Sequence, residues 1–207
     1  MESPFRDPDL KLIETFGWNG QGFVRLDRHR SRLARSASVL GFPFSDTAFR
    51  AALPADPGEA ALRLRLTLDR QGRFDLTSGP LAPNPAVWRI AIAPDRVAST
   101  DPRLAHKTTD RGLYDRTRAR LPGGIDEMIF LNERDEVAEG TITNLFFDRG
   151  RGLKTPPLSS GCLPGCLRGE LIAAGQVQEA ALTVGDLTLA RLWVGNSLRG
   201  LIPALLR

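Results

Sequence analysis

An α+β fold of two lobes is predicted for this 207-residue chain by three features of its sequence. Strand signals with tight turns crowd its first third, its later part mixes short strands with helices, and breakers gather between them. In the first part, the apolar runs 10–16 and 23–26 flank Trp18-Asn19-Gly20-Gln21-Gly22, where Asn-Gly predicts a hairpin turn. Asp27 is the expected cap of a helix over about 28–40, with Leu26 as its staple. Leu33, Ala37 and Leu40 recur at helical spacing until Gly41 and Pro43 stop the run. Ser45 opens a short second helix, ended by Pro54-Ala55-Asp56-Pro57-Gly58.

Leu62, Leu64, Leu66 and Leu68 alternate with Arg63, Arg65, Thr67 and Asp69, the period of a half-buried strand. Asp69-Arg70-Gln71-Gly72 turns it into a partner over 74–77. The breaker-rich stretch 79–85 then reads as an extended connector before a strand over 87–93. This sets the expected lobes at 1–86 and 87–207. Leu113, Thr117 and Leu121 suit one face of a helix opened by Thr109 or Asp110 and closed by Pro122-Gly123-Gly124. Strands are expected over 127–131, 141–147 and 152–155. A helix follows Pro164 through Leu167, Leu171 and Ile172, then a strand over 177–183, a short helix capped by Asp186, and last strands over 192–194 and 201–205.

An apolar share of 42% with a charged share of 25% excludes a disordered chain. The net charge of +4 suits an anionic partner, and a small phosphorylated or carboxylated ligand satisfies it as well as nucleic acid does. No apolar run approaches the roughly 20 residues that span a bilayer, and Met1-Glu2-Ser3-Pro4 lacks a leader's pattern. A cytoplasmic protein without a membrane partner is expected. Cys162 and Cys166 read as small structural residues rather than metal ligands, since the only histidines are His29 and His106, and no metal is expected.

Arginine carries nearly all the positive charge, for the lysines are only Lys11, Lys107 and Lys154. Lys107, in Ala105-His106-Lys107-Thr108-Thr109-Asp110-Arg111, lies between a strand-like connector and a helix, a place from which an amine can enter a cleft and react with an aldehyde. Glu139, in Glu139-Gly140-Thr141-Ile142-Thr143-Asn144-Leu145-Phe146, offers a carboxylate that can keep a pyridine ring protonated. Together they read as a pyridoxal-phosphate pair, with Thr143 and Asn144 holding the loop and hydrogen-bonding around the ring. Gly165-Cys166-Leu167-Arg168 at a helix start and Asn196-Ser197-Leu198-Arg199-Gly200 supply amides for the phosphate, and Arg32 supplies a cation. The cluster Arg25, Arg28, His29, Arg30, Arg32, Arg35 also admits a rival, a non-catalytic arginine-rich binding protein. Asp27 interrupts it and no aromatic interleaves, so a solvated face is the better account and no nucleic-acid partner is expected.

Taken in order, these motifs resemble the class IV aminotransferase family, the fold-type IV pyridoxal-phosphate enzymes. The carriers are His29-Arg30-Ser31-Arg32-Leu33, Lys107, Glu139 with Asn144-Leu145-Phe146, Thr155-Pro156 with Leu163-Pro164-Gly165-Cys166-Leu167-Arg168, and Asn196-Ser197-Leu198-Arg199-Gly200-Leu201-Ile202-Pro203. The resemblance implies that Lys107 bonds the cofactor and Glu139 partners its ring nitrogen. It further implies that Arg32 and the backbone at Cys166, Leu167, Ser197 and Leu198 hold the phosphate, in a homodimer with the cofactor between two lobes.

Lys-Thr-Thr-Asp-Arg and Asn-Ser-Leu-Arg-Gly look most like the aminodeoxychorismate lyase branch, which implies release of pyruvate and p-aminobenzoate. An amino-acid aminotransferase of branched-chain or D-amino-acid type is the alternative. Two departures stand out: the Gly-Asp-Gly-aromatic stretch is missing, leaving Ile13 where an aromatic would face substrate, and Leu167 replaces a threonine. Ile13, Arg111 and Arg199 are the candidate contacts to a small amino substrate, the arginines through its carboxylates.

Overall fold

The computed structural model describes residues 5–207, so Met1-Glu2-Ser3-Pro4, from which no leader is expected, lies outside the described residues. The chain divides into two compact units. One runs through Pro83 and takes in His106–Asp110; the other comprises Asn84–Ala105 and Arg111–Arg207. The expected lobes placed Lys107 in the second; it belongs to the first, because the short segment that carries it bonds along a strand there. Among the described residues no helix is long and apolar enough to cross a membrane.

In the first unit, β1 (Leu12–Trp18), β2 (Leu62–Leu68) and β3 (Phe74–Pro80) form an antiparallel sheet in that order. Leu64, Leu66 and Leu68 are buried as their alternation predicts. They meet Leu12 and Phe16 of β1 and Leu33 and Ala37 of α1 (Leu26–Leu40). The hairpin partner expected over 23–26 shrinks to one bridge, Trp18 to Phe23, because the chain turns at once into α1. Asp27 does not cap that helix: Arg25 stands at the cap in the left-handed region, φ 56°, and Asp27 falls in the first turn, where its charge suits the helix dipole. Ser45 does cap α2 (Asp46–Ala51), its Oγ accepting the Ala48 N–H.

The other edge of β1 receives the 106–110 segment. Ile13 N–H donates to Lys107 O at 2.8 Å and Thr109 N–H to Lys11 O at 2.9 Å, with an antiparallel bridge between Leu12 and Thr108. Strand geometry, not helix entry, therefore fixes the backbone of Lys107.

In the second unit, eight strands follow: β4 (Trp88–Val97), β5 (Glu127–Asn132), β6 (Val137–Gly140), β7 (Asn144–Asp148), β8 (Lys154–Thr155), β9 (Gln178–Glu179), β10 (Arg191–Asn196) and β11 (Gly200–Leu206). Their order is β6-β5-β4-β11-β10-β7-β8-β9. Every residue of β5 is buried. Ile129 and Leu131 join one core with Phe147 and Val194, while Met128 and Phe130 join another with Leu113 and Tyr114 of α3 (Gly112–Ala119). A strand buried on both faces reads as a continuous apolar run, as this one does.

Three expectations fail here. The strand over 177–183 is reduced to β9, and the helix around Asp186 is a 3-10 stretch, Val184–Leu189. The run 141–147 is also not one strand, since 141–143 form a turn between β6, which was not expected, and β7. Glu127, fully buried, supplies the reason: its carboxylate accepts from Thr141 N–H and Ile142 N–H, each at 3.1 Å, and from the hydroxyls of Thr141 and Thr143. Those donors gather the turn around one acceptor, while Thr141 N–H also reaches Met128 O of β5 at 3.2 Å. Gly140 is required beside it, because a Cβ there would lie 2.4 Å from Thr143 Oγ1.

Glu127→Gln replaces one acceptor oxygen with a donor facing these N–H and O–H groups. It is expected to destabilise the protein by about 1–3 kcal/mol, read as a lower urea midpoint at unchanged slope. An unmoved midpoint would show that the turn holds without it.

Candidate active site

Glu14 is the polar centre of the first unit. Period two on β1 puts it on the face of Leu12 and Phe16, under α1, whose buried side carries His29, Arg32, Leu33 and Ser36 at helical spacing. Its carboxylate grips Arg32, Oε1 accepting from Nε at 2.9 Å and Oε2 from Nη2 at 2.5 Å, and it meets His29 Nδ1 at 2.5 Å. The expected phosphate cation thus has two of its nitrogens aimed by a strand residue that the sequence reading passed over.

Burial by itself raises the Glu14 pKa. The Arg32 charge, with His29, overcomes this and holds the group at about 2, below the ordinary 4.5. His29 moves down, chiefly through burial and against the pull of Glu14, so its imidazole is neutral at pH 7. A 1% exposed imidazole favours neutrality, so the contact is a hydrogen bond from Nδ1–H and Arg32 is the counter-charge.

Lys107 follows on the strap beside β1. His106, before it, places Nδ1 2.9 Å from Ser36 Oγ on α1, and Thr108, after it, is buried. Ile13, the expected substrate contact, is a 4% exposed residue of β1 whose amide holds the Lys107 carbonyl.

In the second unit Glu139, on β6, is 7% exposed. Its Oε1 accepts from the Tyr114 hydroxyl at 2.7 Å and its Oε2 from Leu163 N–H at 3.0 Å. Burial, then the Glu139 charge, pushes the Tyr114 phenol far above its usual pKa; the same two causes push the Cys162 thiol up to about 12. Both stay protonated beside the carboxylate.

Thr143 hydrogen-bonds Glu127 rather than standing open, and Asn144 Nδ2 donates to Leu163 O at 3.1 Å. These two contacts tie the loop to β5 and to the segment that holds Leu163. Asn144 Oδ1 also lies where a Cβ of Gly165 would be, 2.0 Å away, so only glycine lets the chain pass into α4 (Cys166–Ala173). That helix starts at Cys166 after Gly165, a cap residue that has no side chain to bond its amides.

In the last turn Asn196 Oδ1 accepts from Leu198 N–H at 3.1 Å and Arg199 N–H at 3.0 Å, so the Leu198 amide, expected on the phosphate, is already engaged; Ser197 is buried. The candidate substrate arginines are both tied down within this unit. Arg111 donates to Thr141 O at 2.8 Å and lies over Tyr114, while Arg199 donates to Asn84 Oδ1 at 2.8 Å and lies over Trp88.

Glu14, Glu127 and Tyr114 were missed as functional or supporting residues. Glu14 carried a signal: an acid on the apolar face of an alternating strand needs a cation beneath the neighbouring helix.

A family profile described as amino-transferase class IV matches residues 11–206. The chain is similar to a Schizosaccharomyces pombe protein provisionally named aminodeoxychorismate lyase, 27% identical over 179 residues, 83% of this chain and 77% of that one. It is 25% identical to the aminodeoxychorismate lyase of Saccharomyces cerevisiae over 64% of this chain and 41% of that one, less than half of that relative's length. Among solved structures it is similar to a Mesorhizobium loti protein provisionally described as an amino-acid aminotransferase, with a TM-score of 0.89 and 44% identity over 96% of this chain and 100% of that one.

Because the folded pKa of Glu14 lies below its ordinary value, its stabilisation is full above about pH 4.5 and is lost as the pH falls toward 2. Glu14→Gln, leaving Arg32 buried without its counter-charge, is expected to cost about 3 kcal/mol at neutral pH. It should also flatten the acid-side loss of stability in that window. Urea unfolding at several pH values checks both, and equal acid slopes in the two proteins would rule the pair out.

Proposed function

This chain belongs to the class IV aminotransferase family, and from that premise we propose that it is a pyridoxal-phosphate enzyme acting on 4-amino-4-deoxychorismate, releasing p-aminobenzoate and pyruvate. The observation that carries the reading is Glu139, a buried carboxylate held on both oxygens; Lys107, in the other unit, lies on a strap bonded to β1. The donor set fits the cofactor: an amine for its aldehyde, an anion for its ring nitrogen, and for its phosphate an aimed guanidinium and a helix start without a side-chain cap. When bound, pyridoxal phosphate supplies an electron sink for the charge left on the amine-bearing carbon.

The rest is the work of this chain's residues. Lys107 would hold the cofactor through its Nζ and, when that amine is free, would act as the base for the proton on the amine-bearing carbon of the substrate. Glu139 would keep a proton on the ring nitrogen. Arg32 of the first unit, and Cys166, Leu167 and Ser197 of the second, would hold the phosphate, while Thr143 and Asn144 shape their own loop. Arg111 and Arg199 act on substrate carboxylates only by leaving the partners that hold them. We also infer, from the family resemblance, a cytoplasmic homodimer.

The lyase reading is supported by the curated relatives of that name. A second reading, an amino-acid aminotransferase, is favoured by the 44% identity to the Mesorhizobium loti protein.

The purified protein with pyridoxal phosphate is expected to be yellow, and borohydride should fix the cofactor on the peptide containing Lys107. Lys107→Ala should lose that label and drop turnover by about 10²–10⁴-fold. Pyruvate from aminodeoxychorismate, without conversion of the cofactor to its amine form by common amino acids, supports the lyase; the opposite result selects the aminotransferase. A label on any other peptide would overturn the assignment of Lys107.

A further inference from the structure

Tyr114 is the only tyrosine of the chain and no motif includes it. It projects from α3 onto the carboxylate of β6: its hydroxyl donates to Glu139 Oε1 at 2.7 Å, while Leu163 N–H takes Oε2 at 3.0 Å. The phenol is itself held in place. Its ring stands edge-on to Phe130 at 5.1 Å between centres, and the Arg111 guanidinium, bonded to Thr141 O, lies 5.2 Å from the ring centre. The charged groups facing it are Glu139, Arg111 and Asp101.

We infer that Tyr114 is a positioning residue for Glu139: with the Leu163 amide it sets the rotation of the carboxylate plane, so that the acid meets a bound cofactor in one orientation. This rests on the reading that Glu139 is the ring-nitrogen partner. The last torsion of a glutamate is soft and roughly two-fold. Two donors, one on each oxygen, remove that freedom, since each fixes a different oxygen of the same plane. Burial and the neighbouring carboxylate keep the phenol protonated, so it donates throughout the neutral range.

Because no other tyrosine is present, tyrosinate absorbance in an alkaline titration reports Tyr114 alone. In the wild-type protein it should appear only well above the pH at which a free tyrosine ionises. In Glu139→Gln, without the negative charge, it should appear about one pH unit lower or more. In the holoenzyme, Tyr114→Phe keeps the ring against Phe130 but removes the donor. It is expected to weaken pyridoxal phosphate binding about five-fold and to shift the pH at which the absorbance of the bound cofactor changes.

A tyrosinate titration unmoved by Glu139→Gln, or a Tyr114→Phe holoenzyme with wild-type affinity and pH profile, overturns the inference alone. Wild-type protein that takes up no pyridoxal phosphate overturns the functional reading, and this inference with it.

Discussion

Buried carboxylates organise both units. Glu14, Glu127 and Glu139 are 1%, 0% and 7% exposed, and an ionised carboxylate removed from water is costly unless donors replace the hydration it loses. In each case the donors come from a different stretch of chain: α1 for Glu14, the 141–143 turn for Glu127, and α3 with the segment before α4 for Glu139. Satisfying the acid and ordering the loop are thus one event. Residues without a strand ladder or a helix to hold them acquire fixed positions, which a site built on loops requires.

This arrangement bears on the chemistry in two places. Arg32 could have been one more solvated arginine of a basic helix. Instead the helix turns it inward, and Glu14 fixes two of its nitrogens. Lys107 lies on a strap that extends the β1 sheet edge, so its backbone is set by Lys11 and Ile13 rather than by the helix that follows. Much of the remaining arginine is taken up in local pairs, Arg30 with Asp46, Arg73 with Asp69, Arg96 with Asp135 and Arg191 with Asp148. Such surface pairs contribute little stability. They do break up the basic field that a nucleic-acid-binding reading needs.

Where residues interact with near neighbours, the sequence was readable. The leucines of β2 and the Ser45 cap stand where spacing and turn chemistry put them. It was less readable where a distant side chain overrides local preference. The apolar run 141–147 has strand composition throughout, yet Glu127 draws its first three residues into a turn. Val137–Gly140 has too little apolar content to announce a strand, and becomes one by pairing with β5.

By itself the sequence determined the α+β class, most of the strands and helices, and the residue types that make the class IV family recognisable, because periodicity and short motifs are local properties of the chain. Only the tertiary structure decided which lobe holds Lys107, what aims Arg32, and that Tyr114 and the Leu163 amide clasp Glu139. Those facts depend on partners 18 to 25 positions apart and on a strap bonded across some 98 residues. Neither the helical nor the strand repeat reaches that far, and the desolvation of a buried charge is felt only once the chain has closed around it.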